Sequence, residues 1–162
     1  MAAVIGTDLK EAARLLSAGE LVAIPTETVY GLAANAFDEA AVLKVFEAKQ
    51  RPAFDPLIVH VHSMEQLASV VREMPPEAET LMQAFWPGPL TLILPKHPDI
   101  PDLVTSGLPT VAVRQSAHDV FRAVNKALGK PIAAPSANRF GRISPTSATA
   151  VMKELGGRIP LI

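Results

Sequence analysis

Short apolar runs, three to five residues long, alternate along this chain with stretches whose apolar residues recur at helical spacing. The runs fall at 21–24, 57–61, 91–94, 110–114 and 132–134, and helical spacing covers 8–18, 38–49, 63–73, 76–86, 116–129 and 147–155. Strand-length runs alternating with helices restrict the chain to an α/β architecture, with one twisted, mixed sheet flanked by helices. Thr7 is the candidate cap of the first helix and Gly19 its stop. Asp38 caps the second, with Val42, Leu43, Val45 and Phe46 expected to face the core. Ser63 with Gln66, and Ser116 with Asp119, have the spacing of capping pairs. Pro76 opens a helix that Pro87-Gly88-Pro89 must end, because proline lacks the donor a helix needs. Residues 158–162 read as the start of a last strand. No repeat or linker interrupts the 162 residues, which fit a single domain spanning 1–162.

Composition narrows the chemistry. Apolar residues make up 49% of the chain but aromatics only 5%, so the core must be built from Leu, Val, Ile and Ala. The formal charge of −1 gives no overall attraction to nucleic acid. The absence of cysteine excludes disulfides, thiol catalysis and cysteine-ligated zinc, and it fits a reducing cytoplasm. No apolar run approaches the ~20 residues of a membrane span. Fifteen prolines, several beside the polar motifs, suggest rigid loops.

The richest stretch is Ile24-Pro25-Thr26-Glu27-Thr28-Val29-Tyr30-Gly31-Leu32. It places hydroxyls and a carboxylate at the end of a strand, where open α/β sheets build their sites. The same residues would also serve as caps and turns. Lys49 and Arg51 close a helix and run into Pro52, before Asp55-Pro56-Leu57-Ile58-Val59-His60. Cations there either complement the helix dipole or clamp phosphate. His60 and His62 are two apart on a strand, hence on one face, but without cysteine or an obvious third ligand a metal site is not expected. Ser136, in Pro131-Ile132-Ala133-Ala134-Pro135-Ser136-Ala137-Asn138, lacks the Gly-x-Ser-x-Gly elbow and acid–histidine partners of a nucleophile. Arg114 leaves a buried strand, which calls for an acid or a ligand anion. Arg139 and Arg142 flank Gly141 and are read as solvated or phosphate-facing in preference to RNA-facing. No P-loop or G-x-G-x-x-G is present.

Together, the first motif, the Lys49–His60 segment and the segment from Pro131 through Gly141-Arg142-Ile143-Ser144-Pro145-Thr146 resemble the YrdC-like family, the threonylcarbamoyl-AMP synthases. The resemblance runs in order over nearly the whole chain. It implies a YrdC-like fold and a nucleotidyltransferase that joins L-threonine, bicarbonate or CO2 and ATP, releasing pyrophosphate. Lys49 and Arg51 would be the catalytic cations on the ATP phosphates, with Mg2+. Thr26, His60, Arg114 and the Ala134 backbone would hold threonine. Thr105, Ser136, Asn138 and Ser144 would hold the nucleotide. A downstream transferase complex would carry the product to tRNA, as threonylcarbamoyladenosine. The family has a proline two residues after this arginine, where Gln115-Ser116 stands here. Its members continue beyond the point matching Ile162, so the chain is expected to lack that C-terminal segment. Two other readings go with the fold. One is a non-catalytic protein that binds tRNA or double-stranded RNA, or assists ribosome maturation, through basic residues. The other is a carbamoyl-transfer module related to hydrogenase maturation.

Overall fold

The structure, a computed structural model, describes residues 2–162. Six strands form one mixed sheet: β1 (Val22–Pro25), β2 (Tyr30–Asn35), β3 (Ile58–His60), β4 (Leu92–Pro95), β5 (Thr110–Arg114) and β6 (Ile132–Ala133). Their order across the sheet is β1-β2-β6-β3-β5-β4, with β3 and β5 parallel and every other pair antiparallel. The helices are α1 (Leu9–Ser17), α2 (Glu39–Lys49), α3 (Met64–Val70), α4 (Pro76–Phe85), α5 (Asp102–Thr105), α6 (Asp119–Leu128) and α7 (Ala148–Leu155). The α/β architecture expected from the alternation is the one observed.

Strand periodicity divides the core. Val22, Ile24, Ala33, Ile132 and Ala134 point to one face and pack with Leu16 of α1 and with Phe121 and Val124 of α6. Leu21, Ala23, Leu32, Ala34 and Ala133 point to the other, against Val42, Val45 and Phe46 of α2. Full burial of one such leucine or phenylalanine contributes about 1.5–3 kcal/mol, and Leu16 and Phe121 are essentially inaccessible. The chain ends meet along the sheet edge: Leu161 bridges both Val4 and Val22 in parallel. The expected last strand is therefore single bridges at one residue.

Five local expectations are corrected. Strand β2 was not anticipated, because Gly31-Leu32-Ala33-Ala34 lacks β-branched residues; pairing to β1 and β6 outweighs that propensity. The cap of α1 is Asp8, whose carboxylate takes the amides of Lys10 (2.9 Å) and Glu11 (3.2 Å), not Thr7. Leu43 is exposed on the outer side of α2, one position out of phase with Val42 and Val45. Helix α3 does have its Ser63 cap but ends at Val70, because Val71 turns to bridge Lys96. The residue capping α6 is His118, with no side-chain bond, while Ser116 is drawn elsewhere.

Candidate active site

A cleft of about 320 Å3 opens where β1–β2, β3–β5 and the segment after β6 converge. Its wall includes Thr26, Thr28 and Gly31 from the first motif, Arg51 and Pro56 from the proline loop, His60 and Arg114 from β3 and β5, and Ala134 and Ser136 after β6. Gly31 is closely packed here: a Cβ would come within 3.3 Å of the Ala134 Cβ, so a side chain would need the Ala134–Ser136 wall to give by a few tenths of an ångström.

His60 and Arg114 are paired neighbours in the parallel β3–β5 ladder. Arg114 Nε donates to Thr91 Oγ1 at 2.9 Å and makes no ion pair among the described residues, so its remaining fork is available to an anion. His60 is 2% exposed and its ring tilts against Phe121 at 4.7 Å between centroids. Burial, and then the Arg114 charge, push its imidazole down from 6.5 to about 4, against the opposing pull of Glu27. The ring is neutral at physiological pH, a hydrogen-bonding group rather than a cation. The expected same-face pairing with His62 is not seen, since β3 ends at His60 and His62 lies outside the cleft.

A measurable consequence follows for stability. Below pH 6.5 the unfolded chain takes up a proton at His60 that the folded chain refuses until about pH 4. Stability attributable to this group is complete above 6.5 and falls as pH drops through that window. Denaturant unfolding at pH 7 and 4.5 should differ by about 2 kcal/mol on this account. His60→Phe should remove that part of the slope; an unchanged slope would mean His60 titrates in the fold as it does in the unfolded chain.

Arg51 is braced for the cleft by its own loop. Nε donates to the Asp55 carbonyl (3.1 Å), Nη2 donates to the Pro56 carbonyl (2.9 Å), and Nη2 pairs with the Asp55 carboxylate at 2.9 Å. The Phe140 ring lies 6.0 Å from its guanidinium carbon. Lys49, by contrast, is 1% exposed and lies behind the wall. Its ammonium donates to the carbonyls of Ser136 and Asn138, so it holds up the loop on which Ser136 faces the cleft. Burial, then repulsion from Arg51, push it down to about 8, with Asp55 and Glu154 opposing.

Of the residues singled out from the sequence, Thr26, Arg51, His60, Arg114, Ala134 and Ser136 share the cleft. Lys49, Thr105, Asn138 and Ser144 do not line it. Thr105 is buried in α5, whose Val104 carbonyl accepts from Leu57 N at 2.9 Å. Asn138 folds its loop, donating from Nδ2 to the carbonyls of Arg139 (2.8 Å) and Arg142 (2.9 Å). Ser144 is exposed on that loop. Thr26 lines the cleft, but its hydroxyl donates to the Val29 carbonyl (2.7 Å) and accepts from the amides of Thr28 (3.1 Å) and Val29 (3.2 Å). Thr28 was overlooked: its exposed hydroxyl stands in the same wall, and its place in the first motif was the available signal. Arg139 and Arg142 both pair with Glu154 of α7 at 3.4 and 3.2 Å, so neither is a free cation.

The same arrangement of chain occurs in known proteins. A sequence model named Sua5_yciO_yrdC, described as telomere recombination, matches residues 14–162. The chain belongs to this family. The threonylcarbamoyl-AMP synthase of Pyrococcus abyssi is 53% identical over 154 residues, covering 95% of this chain and 45% of that protein. The enzyme of the same name from Vibrio cholerae is 37% identical over 157 residues, covering 96% of this chain and 84% of that protein. A crystal structure of P. abyssi Sua5 complexed with L-threonine superposes with a TM-score of 0.94 at 50% identity, covering 99% of this chain and 48% of that one. E. coli YciO shares the fold at 20% identity, with a TM-score of 0.84 over 98% of this chain and 80% of that one. The chain spans about half the length of the P. abyssi relatives.

Proposed function

We propose that this chain carries the active site of an L-threonylcarbamoyladenylate synthase, a nucleotidyltransferase using L-threonine, bicarbonate or CO2, and ATP. The observation that carries the reading is one cleft gathering Arg51, His60, Arg114 and Ser136 from four separate segments. It is supported by a family whose curated relatives bear the synthase name and by a Sua5 structure complexed with L-threonine.

The reaction needs positioning and charge more than a protein nucleophile. Arg114 takes the threonine carboxylate with its free fork. Neutral His60 and the Ala134 backbone complete that end, and Thr26 shapes it through its turn. The threonine amine adds to CO2, losing a proton, to give a carbamate. A carbamate oxygen then attacks the α-phosphorus of ATP, and pyrophosphate leaves. Arg51 lies against the phosphates, while Lys49 holds the Ser136 loop and adds a cation behind it. Ser136 contacts the nucleotide, with Asn138 and Ser144 acting only through their loop and Thr105 only through α5. Mg2+, the proposed cofactor, would be held by the ATP phosphates and would add positive charge there beside Arg51. The cleft's charged side chains are arginines, and among the described residues no three His, Asp or Glu side chains gather into a metal site.

The product is proposed to pass to a transferase complex that modifies tRNA in the cytoplasm. Among the described residues no helix is long and apolar enough to cross a membrane. The test is pyrophosphate release from ATP with L-threonine and bicarbonate each added and omitted. Release that requires both is the expected result. No release and no ATP binding, with salt-sensitive RNA binding instead, would move the function to RNA recognition.

A further inference from the structure

Glu27 is the one charged residue of the first motif, and the mechanism above gives it no task. It stands between Thr26 and Thr28, which both line the cleft, in the connection from β1 to β2. Its Oε2 accepts from the Ser116 hydroxyl and from the Ala117 amide at 3.2 Å. Ser116 Oγ in turn accepts from the His118 amide at 3.2 Å. One carboxylate thus ties the β1–β2 connection to the segment leaving β5, only two residues beyond Arg114.

Its other oxygen, Oε1, is buried without a hydrogen-bond partner. Orphaned buried acceptors are uncommon and mark places where geometry answers to something besides stability. Burial raises the carboxyl, but the bonds from Ser116, its own backbone and Ala117, together with the Arg114 charge, outweigh it. Glu27 therefore stays ionised, and its field reaches both Arg114 and His60.

We propose that Glu27 is a positioning residue that fixes Arg114 for its anionic ligand, by clamping the exit of β5 to the β1–β2 connection. The inference deepens the threonine-site reading and rests on it. A guanidinium grips a carboxylate well only when both of its bonds are aligned, so a loosened strand exit weakens that ligand selectively.

The experiment measures L-threonine and ATP affinities by calorimetry, with thermal melts, for the full chain and for Glu27→Gln, Glu27→Asp, Ser116→Ala and the double variant Glu27→Gln/Ser116→Ala. Glu27→Gln should weaken threonine roughly tenfold and leave ATP within about twofold. Ser116→Ala should weaken threonine by about threefold, and the double variant should be no weaker than Glu27→Gln alone, because both remove one clamp. Glu27→Asp keeps the charge and should restore part of the loss. A lowered melting temperature with threonine affinity unchanged overturns the proposal, and so does an equal loss for both ligands. If the unsubstituted chain binds no L-threonine, the reading of the site itself falls, and the proposal with it.

Discussion

Replacing Lys49 with methionine will lower both the melting temperature and the affinity for ATP. The side chain is buried, and its ammonium serves the carbonyls of Ser136 and Asn138. Methionine keeps the stem and removes the donor, leaving the Asn138 carbonyl unpaired at about 1–3 kcal/mol, while the Ser136 carbonyl keeps the Asn138 amide at 3.0 Å. At roughly 2–4 °C per kcal/mol for a chain of this size, the melt should fall by about 2–12 °C. The Ser136 loop loses its support at the same time, so ATP should bind at least tenfold more weakly at a temperature where the variant is fully folded. Calorimetry beside thermal melts separates the two effects. A lowered melt with ATP affinity intact would leave Lys49 as a post for the loop and remove it from nucleotide binding.

For Arg114→Ala the loss should fall on threonine. Its fork is anchored at one corner by Thr91 and is otherwise unpaired. A charge-assisted, two-bond contact with a carboxylate is worth about 2–4 kcal/mol, which converts to a loss of roughly 30- to 900-fold. The bond to Thr91 adds only about 1 kcal/mol to the cost in stability. Arg114→Lys keeps the charge without the fork and should recover less than half of the lost free energy. Threonine affinity within threefold of the original in the alanine variant would place the carboxylate elsewhere.

Much of the fold was legible because the strongest local signals agreed with tertiary packing. Asp38 and Ser63 cap the helices assigned to them, and residues 110–114 form the strand their alternation describes. Tyr30–Asn35 was hidden because its strand character comes from pairing on both sides rather than from its own side chains. Ser116 was misassigned for a related reason. Its spacing to Asp119 fits a capping pair, but Glu27, 89 positions away, offers its hydroxyl a charged acceptor.

The site was legible as a set of motifs but not as a set of directions. Arg51, His60, Arg114 and Ser136 do meet, as their motifs implied. What sequence does not carry is which way a side chain turns once there. Lys49 and Arg51 are two residues apart, yet one supports the wall from behind while the other lines it. A helix ends between them, at Gln50 with its positive φ of 54°, and that turn sends the two cations apart.

Strand β6 contributes two residues of regular ladder, Ile132 and Ala133, and its flanks extend the joint between β2 and β3: Ala36 N donates to the Pro131 carbonyl at 2.9 Å, Leu32 N to the Pro135 carbonyl at 2.7 Å and Ala134 N to the Ile58 carbonyl at 2.9 Å. Thr26 and Gly31 hang from one side of that joint, and His60 and Arg114 from the other. The sheet is in effect two plates sewn together by one seam from Pro131 to Ala137, and the cleft opens beside that seam. A substrate held by both plates would add a second link between them, so occupancy is expected to stiffen the molecule as well as fill the cleft.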